Sequence, residues 1–151
     1  MKTLVIMGSA RDESNTSRAV KELCPCSEYE LIDLRKFKIN PYRYHQPNGQ
    51  EDDFEMIALK MKDADQIIFA TPVYWYSMSA IMKNFFDRFS DLLRAHKSIG
   101  KSLKGKKVYL IATGADVKLP SHFEDPFRLT AAYFDMTYEK SFYLSAASPP
   151  L

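Results

Sequence analysis

The first residues able to do chemistry are Gly8-Ser9-Ala10-Arg11-Asp12-Glu13-Ser14-Asn15-Thr16-Ser17, a loop that follows the apolar run Thr3–Met7 and leads into a segment of helical composition. A terminal phosphate suits such a loop for three reasons. N–H groups at a helix start are unpaired, and the helix dipole favours an anion. Ser9, Ser14, Asn15, Thr16 and Ser17 offer short side-chain donors. Arg11 can neutralise a dianion through forked N–H bonds. A plainer role is also open, in which Ser14 or Asn15 only caps the helix. The position directly after the first strand of a parallel sheet favours the anion. No Gly-Lys-Ser/Thr follows, and the next glycine after Gly8 is Gly49, so neither a triphosphate loop nor a dinucleotide glycine fingerprint is present.

A second loop, Thr71-Pro72-Val73-Tyr74-Trp75-Tyr76-Ser77-Met78-Ser79, places three aromatics in a row between a strand end and a helix. Only alternate ones can face a core. An exposed Trp or Tyr there presents a flat apolar surface with a polar edge, suited to a planar ring. Packing against the next helix, or a subunit contact, would use the same residues. A third loop, Thr113-Gly114-Ala115-Asp116, carries a glycine that permits close backbone approach. Thr113 and the N–H groups after it can read ring carbonyls, while Asp116 can simply cap or solvate the turn.

Five strands must position these loops. Thr3–Met7, Gln66–Ala70 and Lys107–Ala112 are compact apolar runs, and 29–34 and 136–145 are weaker strands. Pro72 is expected to stop the third. Helical periodicity covers 17–23, 51–62 and 125–134. In 78–96 the apolar residues Ile81, Met82, Phe85, Phe86, Phe89, Leu92 and Leu93 form one stripe, which predicts a single long amphipathic helix. Asp87 and Arg88 on it read as exposed local ion pairs of small consequence. Strands alternating with helices imply right-handed βαβ units and a doubly wound α/β parallel sheet. Ligands then bind beyond the carboxyl ends of the strands, where all three loops lie.

Composition narrows the partners. With 151 residues, 46% hydrophobic, the chain supplies one sizeable core. Its net charge of +2 gives no reason to expect nucleic acid. No apolar run is long enough to span a membrane, and Leu4–Met7 is too short for a signal-peptide core. Cys24 and Cys26, one residue apart, read as two ordinary thiols at a helix end, which fits a reducing cytoplasm. His45, His96 and His122 are too scattered to suggest a metal. Lys101, Lys104, Lys106 and Lys107 read as a solvated basic run.

Taken together the loops describe one ligand, with a phosphate at the first and a planar heteroaromatic between the other two. The mononucleotide cofactor that fits is FMN, a step resting on fold analogy as much as on chemistry. GSARDESNT, TPVYWYSMSAIMKNFFDR and LKGKKVYLIATG resemble the flavodoxin-like NADPH-dependent FMN reductase family, over most of the chain from Met1 to Tyr143. The resemblance implies a five-stranded sheet of order 2-1-3-4-5, bound FMN, and electron transfer from NADPH or NADH to a small acceptor such as a free flavin or quinone. It implies that Ser9, Arg11, Ser14, Asn15 and Thr16 hold the phosphate. Pro72, Val73, Tyr74 and Trp75 would line the ring, Tyr76, Ser77 and Met78 close its edge, and Thr113 and Gly114 face it from the other side. No catalytic side chain is required, since the flavin does the chemistry.

Two departures stand out. Iron–sulfur relatives carry cysteines after the second strand, where this chain reads INPYRYHQPNGQ. The chain also stops at Leu151, so the last helix of the fold is expected to be missing and one face of the sheet incompletely covered. That gap and the long helix both predict a homodimer or larger homo-oligomer. The sequence therefore reads as one FMN-binding domain over 1–151, a cytoplasmic reductase. An electron carrier without NAD(P)H activity and a flavin-free regulatory module on the same fold are the alternatives.

Overall fold

The computed structural model describes residues 1–146. The strands in chain order are β1 (Thr3–Met7), β2 (Glu30–Asp33), β3 (Gln66–Tyr74), β4 (Ser77–Met78), β5 (Lys107–Gly114) and β6 (Thr137–Ser145). The helices are α1 (Asn15–Leu23), α2 (Phe54–Asp63), α3 (Ala80–Asp87), α4 (Lys97–Ser102) and α5 (Asp125–Tyr133). Five strands are parallel in the order β2-β1-β3-β5-β6, which is the expected 2-1-3-4-5 counted over parallel strands alone. The two-residue β4 is additional and pairs antiparallel with the end of β3.

Pro72 does not stop β3. Met7, the last residue of β1, lies opposite Ala70, and beyond that point β3 keeps β5 as its parallel neighbour, with Pro72 opposite Thr113. A residue with no N–H to donate is tolerated where one edge of the strand has lost its partner. The extension carries the aromatic residues past the sheet into a hairpin.

One face of the sheet carries α2, α3 and α5, whose Phe54, Ile57, Met82, Phe85, Phe127 and Ala131 join Leu4, Ile6, Ile67, Phe69 and Leu110 in the larger core. The other face carries α1. Ala19 and Val20 pack there on Val5, Met7, Ile68, Ala70 and Ile111, with Tyr109, Phe142 and Leu144 half-buried around them. Among the described residues α1 is the one helix in this second cluster. The expectation of a missing last helix concerns a tail whose residues 147–151 lie outside the described ones.

The single helix expected over 78–96 is instead broken. α3 ends at Asp87, Arg88–Leu93 tightens into a 3₁₀ turn, and α4 follows. The apolar stripe faces inward as expected, with Met82, Phe85, Phe89 and Leu92 buried. Arg88 accounts for the break. It is not an exposed ion-pair residue: its side chain is 1% accessible. Its Nε donates to Asp91 Oδ2 at 2.8 Å, a three-residue spacing that a 3₁₀ turn superimposes. Its Nη1 donates to Asp52 and, at 3.0 Å, to the carbonyl of Asn40, and the guanidinium lies 4.8 Å from the Phe54 ring centroid. Asp87 pairs instead with Lys83 on the surface.

Asp52 also accepts the N–H groups of Asn40 at 2.9 Å and Phe54 at 3.0 Å. Burial pushes its carboxyl up, but the Arg88 bond and those two N–H groups outweigh burial and hold it below its ordinary value. A carboxylate depressed in the folded state stabilises fully above its unfolded pKa, about 3.9, and that contribution is lost as pH falls through the folded value. Asp52→Asn should therefore be less stable than the parent at neutral pH. The two should converge in urea midpoint as pH falls below about 4. A gap that stays constant with pH would mean that Asp52 does not act through its charge.

Candidate functional site

The three loops meet beyond the carboxyl ends of β1, β3 and β5, and short polar links join them. Gly8 N–H donates to the Ala70 carbonyl at 2.8 Å. The Ser79 hydroxyl donates to the Gly8 carbonyl at 2.6 Å and accepts Met82 N–H at 3.2 Å, so one residue caps α3 and ties it to the first loop. Thr16 Oγ1 and Thr113 Oγ1 lie 3.1 Å apart, both buried, and connect the first loop to the third. Gly8 is required by proximity: a Cβ there would lie 2.9 Å from Met82 Cβ.

The first loop caps its helix and still presents donors to the groove. Ser14 caps α1, its Oγ accepting Ser17 N–H at 3.1 Å while Ser17 Oγ accepts Ser14 N–H at 2.9 Å. The Ser9 hydroxyl, buried, lies 2.7 Å from Ser14 Oγ. Asn15 and Thr16 open the helix, where N–H groups lack intrahelical acceptors. Behind the loop, Arg35 bonds Asp33 at 2.8 Å and reaches out to Asp12, whose carboxyl is held low by that contact. Arg35 thus engages the loop's aspartate and leaves Arg11 as the cation at the groove.

A groove of about 350 Å³ is lined by Ser9, Arg11, Ser14, Asn15 and Thr16 from the first loop, Pro72, Val73 and Tyr74 from β3, and Thr113, Gly114, Ala115 and Ala146 from the ends of β5 and β6. A smaller cavity of about 190 Å³ adjoins it through Val73, Gly114 and Ala115 and takes in Trp75, Tyr76, Asp116 and Tyr143. Of the residues singled out in the sequence, Ser77 and Met78 line neither. Ser77 pairs with Tyr74 across the hairpin, and Met78 is buried in the larger core.

Trp75 and Tyr76 form the two-residue connection between β3 and β4, with φ of 48° and 67°. Positive φ at both central residues is the mark of a type I′ turn, whose usual occupants are Asn-Gly. Two bulky aromatics there carry a left-handed penalty of about 1–2 kcal/mol each. They bury almost nothing in return, Trp75 being 91% and Tyr76 70% exposed. Strain held by exposed aromatics at a groove mouth points to function. Replacing the pair by Asn-Gly should raise apoprotein stability by about 1–2 kcal/mol in thermal unfolding. An unchanged or lower melting temperature would show that the hairpin is not strained.

Sequence reasoning missed Tyr143. Its hydroxyl donates to the Asp116 carbonyl at 2.8 Å and walls the smaller cavity. A Cβ on Gly114 would lie 2.8 Å from that hydroxyl and 3.2 Å from Val73 Cβ, so the glycine lets β5 end close against both walls. Burial, with the Asp116 charge behind it, pushes the Tyr143 hydroxyl pKa up. The alternation of Phe142 and Leu144 was legible as a strand, and the pairing of its end with the β5 loop was the signal available.

The larger groove has hydroxyls, helix-start N–H groups and one guanidinium at one end, apolar and aromatic walls at the other, and no carboxylate among its lining side chains. That donor set fits a phosphate dianion joined to a planar ring, which is the make-up of FMN. The fold and groove define a flavodoxin-like, mononucleotide-binding α/β protein. Comparison with known proteins gives the family. The model for NADPH-dependent FMN reductase matches residues 1–148, and the chain belongs to that family of FMN-dependent oxidoreductases. It is 33% identical over 123 residues to YwqN of Bacillus subtilis, which bears the name of an NAD(P)H-dependent FMN-containing oxidoreductase; the match covers 77% of this chain and 68% of that one. It is 35% identical over 126 residues to an iron–sulfur flavoprotein of Methanocaldococcus jannaschii, covering 76% of this chain and 63% of the relative. The Trp repressor binding protein of Bacillus subtilis shares the fold at a TM-score of 0.76, with 24% identity over 96% of this chain and 87% of its own. Among the described residues no helix is long and apolar enough to cross a membrane.

Proposed function

We propose that residues 1–151 form one flavodoxin-like domain whose groove binds FMN and passes electrons from NADPH or NADH to a small planar acceptor, a free flavin or a quinone. The observation that carries this reading is the meeting, at one groove, of the donors Ser9, Arg11, Ser14, Asn15 and Thr16 with an exposed aromatic hairpin. FMN, when bound, supplies the two-electron chemistry between nicotinamide and acceptor. Arg11, Ser9, Asn15 and Thr16 hold its phosphate, and Ser14 fixes the loop through its cap. Pro72, Val73 and Tyr74 wall the ring on one side, Thr113 and Gly114 on the other. Trp75, Tyr76 and Tyr143 shape the space where a second planar molecule docks.

Anaerobic oxidation of NADPH and of NADH by the FMN-loaded protein, with riboflavin and then a quinone as acceptor, tests this. Turnover with either acceptor is expected. A yellow protein that oxidises neither nicotinamide would be an electron carrier, and a chain that binds no FMN would overturn the reading outright.

The protein is also proposed to work in the cytoplasm as a homodimer. Tyr44, Leu93, Leu129 and Tyr133 are large exposed side chains around an 800 Å³ groove between α3 and α5 whose lining mixes them with Asp87, Ser90, Arg94 and Thr130, a composition suited to a contact between copies of the chain. Light scattering at micromolar concentration should give twice the 17.4 kDa chain mass. A monomer with and without FMN would remove the dimer.

A further inference from the structure

Outside the groove, one cluster of reactive side chains has no part in flavin binding. α1 ends at Leu23, and Cys24 caps it, its N–H donating to the Val20 carbonyl at 3.1 Å. Pro25 cannot continue the helix. The chain turns so that Cys24 Sγ and Cys26 Sγ lie 3.0 Å apart. Both thiols are free and half-buried, at the rim of the smaller core beside Leu23 and Tyr29.

Two sulfurs in contact are open to two chemistries, a shared metal and a disulfide. A tetrahedral metal with sulfur ligands at about 2.3 Å would hold them roughly 3.8 Å apart. Among the described residues no third ligand joins them, since no group of three His, Cys, Asp or Glu is present. A disulfide needs about 2.05 Å, an approach of roughly 1 Å from the present contact. The 3.0 Å contact lies between the two distances, so it is the missing third ligand that sets a metal aside and leaves the pair to thiol chemistry. It sits at the far end of α1 from the groove, about 12 Å along a helix of this length, so its electrons come from solution.

We propose that Cys24 and Cys26 are a reversible thiol–disulfide site, closed by small disulfides such as oxidised glutathione and reopened by excess thiol. Partial burial, and then the neighbouring Cys26 sulfur, push the Cys24 thiol up to about 11; the exchange is the same whichever sulfur attacks first. When Cys26 leads, its thiolate attacks one sulfur of oxidised glutathione, breaking its S–S bond and expelling one glutathione thiolate, which takes up a proton. Cys24 then gives its proton to water and attacks Cys26 Sγ, breaking the mixed disulfide and releasing the second glutathione. Two protein thiols are oxidised by two electrons, and one external disulfide becomes two thiols. The ring so closed spans only three residues at the rim of the smaller core, which makes the bond labile and the site responsive.

The test uses the whole protein, reduced and then incubated in mixtures of oxidised and reduced glutathione, quenched with an alkylating reagent and weighed intact. The parent should lose both alkylation sites together, weigh two hydrogens less, carry no glutathione, and return to the dithiol in excess reduced glutathione. Cys24→Ser should trap glutathione on Cys26. Cys26→Ser should trap it on Cys24, since neither variant has a second thiol to release it. Glutathione persisting on the parent, thiols still alkylated in the most oxidising mixture, or disulfide-linked dimers would overturn the assignment. Flavin absorbance plays no part in these readouts, so the result is independent of the reductase reading.

Discussion

Arg88→Ala should destabilise the protein by about 3–5 kcal/mol, because it strips a buried cation from two carboxylates that stay behind. Asp52 and Asp91 are both largely buried against Arg88 and would be left as unpaired charges. The loss should appear as a lower urea midpoint with an unchanged slope. Protease sensitivity should rise at the same time between Lys38 and Asp53, since Arg88 also holds the Asn40 carbonyl. Replacing Arg88, Asp52 and Asp91 together by apolar residues should recover much of the loss, as the penalty comes from stranded charge more than from a missing attraction. A single-mutant loss under about 1 kcal/mol would place the pair in solvent.

Arg88 also shows what a sequence does and does not disclose. The stripe from Ile81 to Leu93 was legible because neighbouring residues define it. The buried cation was not, because its partner Asp52 stands 36 residues away and nothing near Arg88 names it. Read alone, an arginine beside an aspartate looks like a surface pair. β1 was read to the residue, since all five of its side chains are buried and all but Thr3 are apolar. β3 was cut short because a proline in an isolated string means a break. It is tolerated here only because β1 ends opposite Ala70, a fact of register.

Arg11→Ala should weaken FMN binding by about 10- to 100-fold, the loss of a charge-assisted contact of roughly 1.5–3 kcal/mol. Folding stability should stay the same, since Arg11 is exposed and forms no ion pair among the described residues. Riboflavin, which lacks the phosphate, should bind parent and variant alike. Fluorescence quenching titrations with both ligands check this. Equal FMN affinity in the variant would return Arg11 to solvent and leave the phosphate to the hydroxyls and N–H groups of the loop.

The donor loop and the aromatic run were visible in the string because each is contiguous. The turn that displays the aromatics was hidden, since Trp75-Tyr76 has none of the residues by which a type I′ turn is recognised. Tyr143 was hidden for the opposite reason: its role comes from the alignment of β6 with β5, decided far away in the chain.

The links of Ser79 to Gly8 and of Thr16 to Thr113 bear on the order of events in the protein's life. Each joins two loops through the chain's own hydroxyls and carbonyls, so the walls of the groove are set by folding itself. The conformational entropy of ordering those loops is lost before any ligand arrives, and little remains to be lost on binding. A newly made chain can then fold first and take up its cofactor afterwards, at whatever moment the supply of flavin allows.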